Sequence, residues 1–223
     1  MYGIFYRIIC IVVGYIFGIF QTGYLYGKLN HIDIRDYGSG NAGTTNAMRV
    51  LGKKAGIITY LGDALKGIIC GLVIRAIFGM GLGLNDAYIF LLVLYGGLGV
   101  VLGHNFPFYL NFKGGKGIAA SSGVVFSLFD WRLLLIVAVS FFVITFVSKY
   151  VSLGSICMMI LFFIGTVVLG CLGLLPVSHT NYLIETFVMT FILSALAVFR
   201  HRTNIVRLIN GTERKIGEKK ESK

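Results

Sequence analysis

Long apolar runs alternate with short polar segments along the whole chain. Seven runs follow this pattern, at 4–26, 55–79, 87–104, 117–129, 132–148, 155–176 and 182–200. An α-helix needs about 20 apolar residues to cross a membrane core of about 30 Å. The pattern therefore predicts an all-α polytopic membrane protein with about seven transmembrane helices. Because the fourth run has only 13 residues, 117–129 and 132–148 are either two crossings or one re-entrant hairpin.

Composition supports a membrane protein and excludes an ordinary soluble domain. Of the 223 residues, 57% are hydrophobic and 13% are charged, and the mean hydropathy is +0.84. We expect one integral membrane domain over 1–223, in which 200–223 form a basic tail. The first run lacks a small-residue cleavage site and is expected to remain as a helix. The cysteines show no C-x-x-C spacing and the carboxylates do not cluster, so neither a disulfide framework nor a metal site is predicted.

Basic residues are concentrated on one side of this predicted topology. The segments 28–54, 104–116 and 149–154 and the tail contain 16 of the 20 lysines and arginines, with Lys219, Lys220 and Lys223 among them. Basic loops tend to stay in the cytoplasm. We therefore expect these segments and the C-terminus to be cytoplasmic and the N-terminus to be external. The net charge of +11 then indicates attraction to anionic lipid headgroups rather than to nucleic acid.

Two glycine-rich loops on this side have the composition of phosphate-binding loops. One covers 38–46 and is followed by Arg49, and the other covers 112–117 and contains Lys113 and Lys116. Glycine has no Cβ, so it can adopt positive φ and turn backbone N–H groups toward an anion, while the basic side chains supply charge. Two such loops suggest two anionic substrates.

Further polar groups lie beside the ends of the apolar runs and within one of them. Tyr150–Ile156 form a third loop, and the tail continues from Arg200 to Glu213 with more basic groups and amides. Asp63 and Lys66 are three residues apart in the second run, on one helical face, where opposite charges reduce the cost of burial. A structural ion pair is the preferred interpretation of these two residues, and a catalytic role is the alternative.

Four long motifs occur in order over nearly the whole chain. They are GSGNAGTTNAMRVLGKKAG with LGDALKG, GHNFPFYLNFKGGKGIAA, VSLGSI and HRTNIVRLINGTERKI. They resemble the motifs of the bacterial membrane glycerol-3-phosphate acyltransferases that use acyl phosphate, the PlsY family. The resemblance implies a bacterial inner-membrane enzyme that transfers the acyl group of acyl phosphate to the 1-hydroxyl of glycerol 3-phosphate. The products are lysophosphatidic acid and phosphate, an early step of phospholipid synthesis. It implies no cofactor, and it implies the lipid bilayer and an upstream acyl-phosphate-forming enzyme as partners.

The resemblance also implies roles for individual residues. The catalytic residues, in contact with glycerol 3-phosphate, are Ser39, Arg49, Lys113, His201 and Asn204. Acyl phosphate is held by Thr45, Asn46, Gly114, Gly115, Lys116 and Gly117, and further substrate-binding positions are His104, Ser152, Ser155, Arg207 and Glu213. A phosphate oxygen of the donor takes the proton of the attacking hydroxyl, so no covalent intermediate is needed. Ala119-Ala120 stand where the family has Ala-Thr, which removes one hydroxyl near the second loop.

Short motif matches indicate other chemistry less convincingly. The stretch 38–43 fits G-x-G-x-x-G, but a dinucleotide site needs a preceding strand, and Lys116-Gly117 lack the upstream spacing of a P-loop. His31 and Asp36 fit the H-x-x-x-x-D pattern of acyltransferases that use acyl-CoA or an acyl carrier. With four histidines and nine acidic residues in the chain, such a match arises readily by chance. We expect none of these three matches to have the function that its pattern suggests.

A transporter or flippase of an organic phosphate is the main alternative function. Basic loops on a helical bundle also suit an anion path. Transporters usually contain internal repeats and a site near the membrane midplane. This sequence shows no convincing repeat and its polar residues cluster on one side, so we favour an enzyme.

Overall fold

The computed structural model describes residues 3–218, within which all regular structure is helical. The α-helices are α1 (Gly3–Gly18), α2 (Thr22–Leu29), α3 (Thr44–Leu51), α4 (Lys53–Ile74), α5 (Asp86–Asn105), α6 (Ile118–Ser127), α7 (Trp131–Ser148), α8 (Val151–Cys171), α9 (Leu183–Arg200) and α10 (Arg202–Ile209). A π-helical stretch, Arg75–Gly81, extends α4, and 3₁₀ turns occur at Ile34–Asp36 and Phe108–Leu110. Three of the 16 basic residues counted on the cytoplasmic side lie outside the described residues: Lys219, Lys220 and Lys223.

Six helical segments in 3–218 are long and apolar enough to cross a membrane, which confirms the all-α polytopic fold. They are Gly3–Leu29, Lys53–Gly81, Asp86–Leu110, Trp131–Ser148, Val151–Cys171 and Leu183–Arg200. The remaining predicted segment, 117–129, contains the shorter helix α6. Its 10 residues reach only about 15 Å at 1.5 Å per residue.

Helix α6 packs against the middle of α4. A side chain on Gly123 would overlap the backbone of Ala64, which lies 11 residues after the first residue of α4, roughly 16 Å along that helix. The C-terminal end of α6 is fixed by Arg75, whose guanidinium donates to Ser127 O at 2.9 Å and Leu128 O at 2.8 Å. The fourth segment therefore consists of a glycine-rich loop followed by a short helix.

The first apolar run is not one continuous helix, contrary to the expectation for 4–26. Helix α1 ends at Gly18 and α2 begins at Thr22. The carbonyl groups released by this break accept hydrogen bonds from Lys66 Nζ, at 3.1 Å for Gly18 O and 2.7 Å for Phe20 O. Non-helical backbone at membrane depth is tolerated where other protein groups satisfy it.

Helix α5 forms the centre of the bundle and is buried along most of its length. It packs against α1 through facing glycines, because side chains on Gly14 and Gly99 would overlap the backbone of the opposite helix at Gly96 and Ile11. Small residues allow this close approach of membrane helices. One end of the bundle, which we call the basic end, is formed by three loops and the tail. They are 30–43, 106–117, 149–150 and 201–218. Hydrogen bonds between these segments, such as Ile216 N to Lys149 O at 2.9 Å, hold them together.

Candidate active site

The second glycine-rich loop lies directly on the end of α5. Gly115 N donates to His104 O at 3.1 Å and Gly114 N donates to Asn105 O at 3.2 Å. A side chain on Gly115 would overlap His104 Nε2. Of the glycines at 114, 115 and 117, only Gly117 has positive φ, +85°. The expectation that position 115 needs glycine for positive φ is therefore wrong. Glycine is needed there because the backbone packs closely on the imidazole of His104.

The loop leads into the N-terminus of α6, where backbone N–H groups lack helical acceptors and favour an anion. Gly117 directly precedes this helix. Beside it lies Asn105, which is completely buried and whose amide oxygen and nitrogen have no hydrogen-bond partner within the described part of the chain. Unpaired buried amide atoms are costly, so a ligand or water is expected to bind them. Asn105 was not among the predicted site residues, although it stands between two motif residues, His104 and Pro107.

Arg200 holds the outer side of the same loop. Its Nη2 donates to Gly115 O at 2.7 Å and to Gly114 O at 3.2 Å, and its guanidinium lies 5.0 Å from the ring centre of Phe106. Arg200 was predicted only to contribute charge to the cytoplasmic tail, not to contact the site. The cluster Arg200-His201-Arg202 at the end of an apolar run was the available signal.

A network of polar side chains connects the loop to the tail. Lys116 Nζ donates to Asn204 Oδ1, and Asn204 Nδ2 donates to Glu213 Oε1 at 2.6 Å. The same carboxylate accepts from Ser152 Oγ at 2.8 Å and from Arg207 Nε at 2.6 Å. The structure thus brings five of the expected substrate-contacting residues into direct contact.

Helix α8 supplies the two serines of this region from its first turn, not from a loop as the sequence suggested. Ser152 and Ser155 are both buried. Ser155 Oγ donates to Val151 O in its own helix at 2.8 Å, so of the two only Ser152 joins the network.

The charges in the network perturb one another. The pKa of Lys116 is lowered to about 8, mainly by burial; Arg207, Arg200 and Arg49 act in the same direction, and Glu213 opposes them. Burial raises the pKa of the Glu213 carboxyl, but hydrogen bonds from Arg207, Asn204 and Ser152 outweigh this effect and the net pKa is lowered. The cluster therefore contains one carboxylate among several cations, which suits an added anion.

His201 is buried beside this network. Burial lowers its pKa to about 4, and the charge of Lys116 contributes in the same direction. At neutral pH the ring is therefore uncharged. Its Nδ1 lies 2.8 Å from Ala197 O, a carbonyl that only accepts, so Nδ1 carries the proton and Nε2 is the acceptor.

The first glycine-rich loop is shaped by Asn46. The buried amide of Asn46 accepts from Ser39 N at 2.8 Å and donates to Ile34 O at 2.7 Å and Tyr37 O at 3.1 Å. Gly38, with φ of +64°, gives the backbone its turn. Asn46 is thus committed to holding the loop, with the exposed Ser39 presented beside it.

Arg49 extends from α3 toward the tail. Its pKa is lowered because surrounding protein displaces water and because Arg214 and Arg207 are near, while Glu213 raises it. Within residues 3–218, the side chains of Ser39, Thr45 and Lys113 form no hydrogen bond or ion pair. The structure therefore connects Arg49 to the network electrostatically and leaves these three groups exposed and outside it.

The depressed pKa of Lys116 predicts a pH dependence of anion binding. Below about 8 the amine is charged and attracts an anion, and above it the charge is lost. We expect sulfate, whose charge is constant in this range, to bind about tenfold more weakly when the pH rises from about 7 to about 9. Titration calorimetry measures the effect. Lys116→Arg stays charged, so an equal decline in that variant would contradict the assignment.

The helical bundle and the basic cluster at one of its ends define an integral membrane protein with a site for phosphorylated molecules. The Glycerol-3-phosphate acyltransferase family model matches residues 8–211. The chain belongs to this family. It is 40% identical over 219 residues to a glycerol-3-phosphate acyltransferase of Thermoanaerobacter sp. (strain X514), covering 98% of this chain and 100% of the relative. It is 41% identical over 221 residues to one of Clostridioides difficile (strain 630), covering 98% and 99%.

Solved structures agree in fold. PlsY (YgiH), an integral membrane glycerol 3-phosphate acyltransferase, in its glycerol 3-phosphate form has 34% identity and a TM-score of 0.75, covering 97% of this chain and 96% of that chain. Its lysophosphatidic acid form has 33% identity and a TM-score of 0.73 over the same shares. The chain is therefore similar, over nearly its whole length, to an enzyme of the membrane.

Proposed function

We propose that this protein transfers the acyl group of acyl phosphate to the 1-hydroxyl of glycerol 3-phosphate and releases lysophosphatidic acid and phosphate. The observation that carries the proposal is the network from Lys116 through Asn204 to Glu213, which connects a glycine-rich loop to the basic tail. The similar crystal structures were solved in glycerol 3-phosphate and lysophosphatidic acid forms, an acceptor and a product of such a transfer.

The two loops divide the substrates in this proposal. Arg49 and Lys113, with Ser39, bind glycerol 3-phosphate, and the tail residues His201 and Asn204 close its site. The donor phosphate lies on the glycine-rich loop with Lys116, at the N-terminus of α6. A guanidinium suits a phosphate because it forms two parallel hydrogen bonds. Thr45 lies on α3, near Arg49, and contributes a hydroxyl at the margin.

Transfer is direct in this proposal. The glycerol oxygen attacks the donor carbonyl, the bond between the carbonyl carbon and the phosphate oxygen breaks, and the departing phosphate takes the hydroxyl proton. His201 Nε2, as an acceptor, orients the hydroxyl. Acyl phosphate is already activated, so positioning and charge stabilisation supply the catalysis.

The choice of donor tests this mechanism. With acyl phosphate the purified protein should give product by sequential kinetics, and no acyl group should remain on the protein after incubation with donor alone. Acyl-CoA should be poor, because its thioester has no phosphate at the carbonyl. His31→Ala should retain most activity, since His31 lies on the exposed segment after α2. An acyl-enzyme, ping-pong kinetics or a folded but inactive His31→Ala protein would contradict direct transfer.

The proposal places the basic end in the cytoplasm of a bacterial cell, with the N-terminus outside. An upstream enzyme that forms acyl phosphate then delivers the donor from the bilayer, where its acyl chain remains. The charge asymmetry of the loops supports this orientation.

Cysteine labelling tests the orientation. In a background without native cysteines, Thr212→Cys in the tail and Met80→Cys at the opposite end provide exposed positions. An impermeant maleimide should label Met80→Cys in intact cells and Thr212→Cys only after permeabilisation. The reverse pattern would place the site outside the cell.

A further inference from the structure

A buried polar cluster lies directly beneath the second glycine-rich loop, 112–117. Lys66 and Asp63 on α4 are 6% and 1% exposed, and His104 on α5 is 2% exposed. Lys66 Nζ lies 3.1 Å from Asp63 Oδ1 and 2.7 Å from His104 Nδ1. The expected ion pair is present, and it includes an imidazole that the sequence did not connect to it.

The partners of Lys66 determine which ring nitrogen of His104 carries the proton. Besides Asp63, the ammonium group donates to Gly18 O and Phe20 O. An ammonium group has three N–H donors and no acceptor, so the four partners of Lys66 Nζ share three N–H groups. His104 Nδ1 must therefore be an acceptor, and the proton of the neutral ring lies on Nε2.

Asp63 favours the charged, donating state of Lys66. Its Oδ1 accepts from Lys66 and also from Thr22 Oγ1 at 3.0 Å. An unpaired ammonium group at this depth would be costly. Gln21 Nε2 donates to His104 O at 2.9 Å and fixes the histidine backbone as well.

His104 Nε2 is the ring atom nearest to Gly115, in the space where a side chain of residue 115 would lie. No group within residues 3–218 accepts a hydrogen bond from this nitrogen. An N–H at this position presents positive charge to an anion on the loop, whereas a lone pair would repel it. The identity of the tautomer therefore matters for the chemistry of the loop.

We propose that Lys66 and Asp63 are positioning residues for the acyl transfer, which hold His104 as its Nε2–H tautomer so that a donor faces the anion-binding loop. The inference rests on the proposed function of that loop. It adds two residues of the membrane interior to the machinery, although neither touches the substrates. The same Lys66 ammonium group also donates to the backbone carbonyls that the break after α1 releases, so it stabilises both the break and the imidazole.

Solid-state ¹⁵N spectra of histidine-labelled protein in lipid bilayers, without substrates, test the tautomer. The chain has four histidines, and the His104 signals are assigned by their loss in His104→Gln. We expect a protonated Nε2 and a bare Nδ1 in the wild type, and a loss of this preference in Lys66→Met. Lys66→Arg, which also only donates, should keep the wild-type tautomer. A wild-type spectrum with protonated Nδ1 would overturn the proposal.

Kinetics test the consequence for catalysis. Lys66→Met should lower kcat about tenfold to a hundredfold with little change in KM for glycerol 3-phosphate, less than the roughly 100- to 1,000-fold that removal of a preorganised donor itself costs. Arg75→Met is the matched control, because Arg75 is also a cation that donates to two backbone carbonyls beside a membrane helix. It should change neither the tautomer nor kcat. Unchanged kcat and tautomer in folded Lys66→Met would refute the positioning role.

The two readouts separate this inference from the proposed function. The spectra need no substrate, so they decide the tautomer whatever the donor is. If acyl phosphate is not used but the tautomer depends on Lys66, only the proposed function fails. If acyl phosphate is used and the tautomer is independent of Lys66, only this inference fails. Should Lys66→Met not fold, the wild-type spectrum and Lys66→Arg still decide the tautomer.

Discussion

Gly115→Ala is expected to lower kcat/KM at least about 100-fold, because displacement of a substrate-binding loop by about 1 Å has effects of this size. The new methyl group would overlap His104 Nε2. The imidazole cannot move aside, since its other nitrogen is held by Lys66 at 2.7 Å. The loop must therefore lift away from α5, and its lysine and backbone N–H groups move with it.

Gly81→Ala provides the control for this substitution. Gly81 lies in the π-helical stretch after α4, and the nearest atom to a Cβ there is Ala76 O at 3.6 Å, an ordinary contact. Its activity should be close to wild type. Thermal unfolding of both variants separates loop displacement from misfolding. A stable Gly115→Ala protein with wild-type kinetics would show that the loop position is not critical.

Arg49→Ala is expected to lower kcat/KM for glycerol 3-phosphate about 10- to 100-fold, mainly through a higher KM. A hydrogen bond to a charged group contributes about 1.5–3 kcal/mol. Arg49 is exposed on α3, so the substitution should leave stability nearly unchanged. Initial rates at varied acceptor concentration measure the effect.

Arg202→Ala is the charge-matched control for Arg49. Arg202 lies on the exposed side of α10, with its guanidinium 4.7 Å from the ring centre of Phe199. The Arg202→Ala substitution removes the same charge from the basic end, but it removes no proposed substrate contact. Equal losses in the two variants would mean that only the overall field attracts the substrate.

The helices were predictable because hydrophobic runs of sufficient length have few other structures available in a membrane. The exceptions depend on contacts that a sequence does not display. The break between Gly18 and Thr22 lies within a predicted apolar run, where Gln21 and Thr22 are the polar residues, and it depends on Lys66, 48 residues from Gly18. The position of α6 depends on the packing of Gly123 against Ala64.

The site was predictable in its residues but not in its connections. Composition indicated two anion-binding loops, and the family motifs supplied the residue roles. Lys116 and Asn204 are 88 residues apart, so only folding reveals their hydrogen bond. Asn105 and Arg200 were missed because one acts through unpaired amide atoms and the other through loop carbonyls.

A ³¹P NMR time course on detergent-purified protein tests the central claim most directly. With acyl phosphate and glycerol 3-phosphate, and no membrane or gradient, the account predicts that both substrate signals decline together. Signals of inorganic phosphate and lysophosphatidic acid should increase in equal amounts. Inorganic phosphate without lysophosphatidic acid would show hydrolysis of the donor, and no change of either substrate by folded protein would favour a transporter. Either result would contradict acyl transfer.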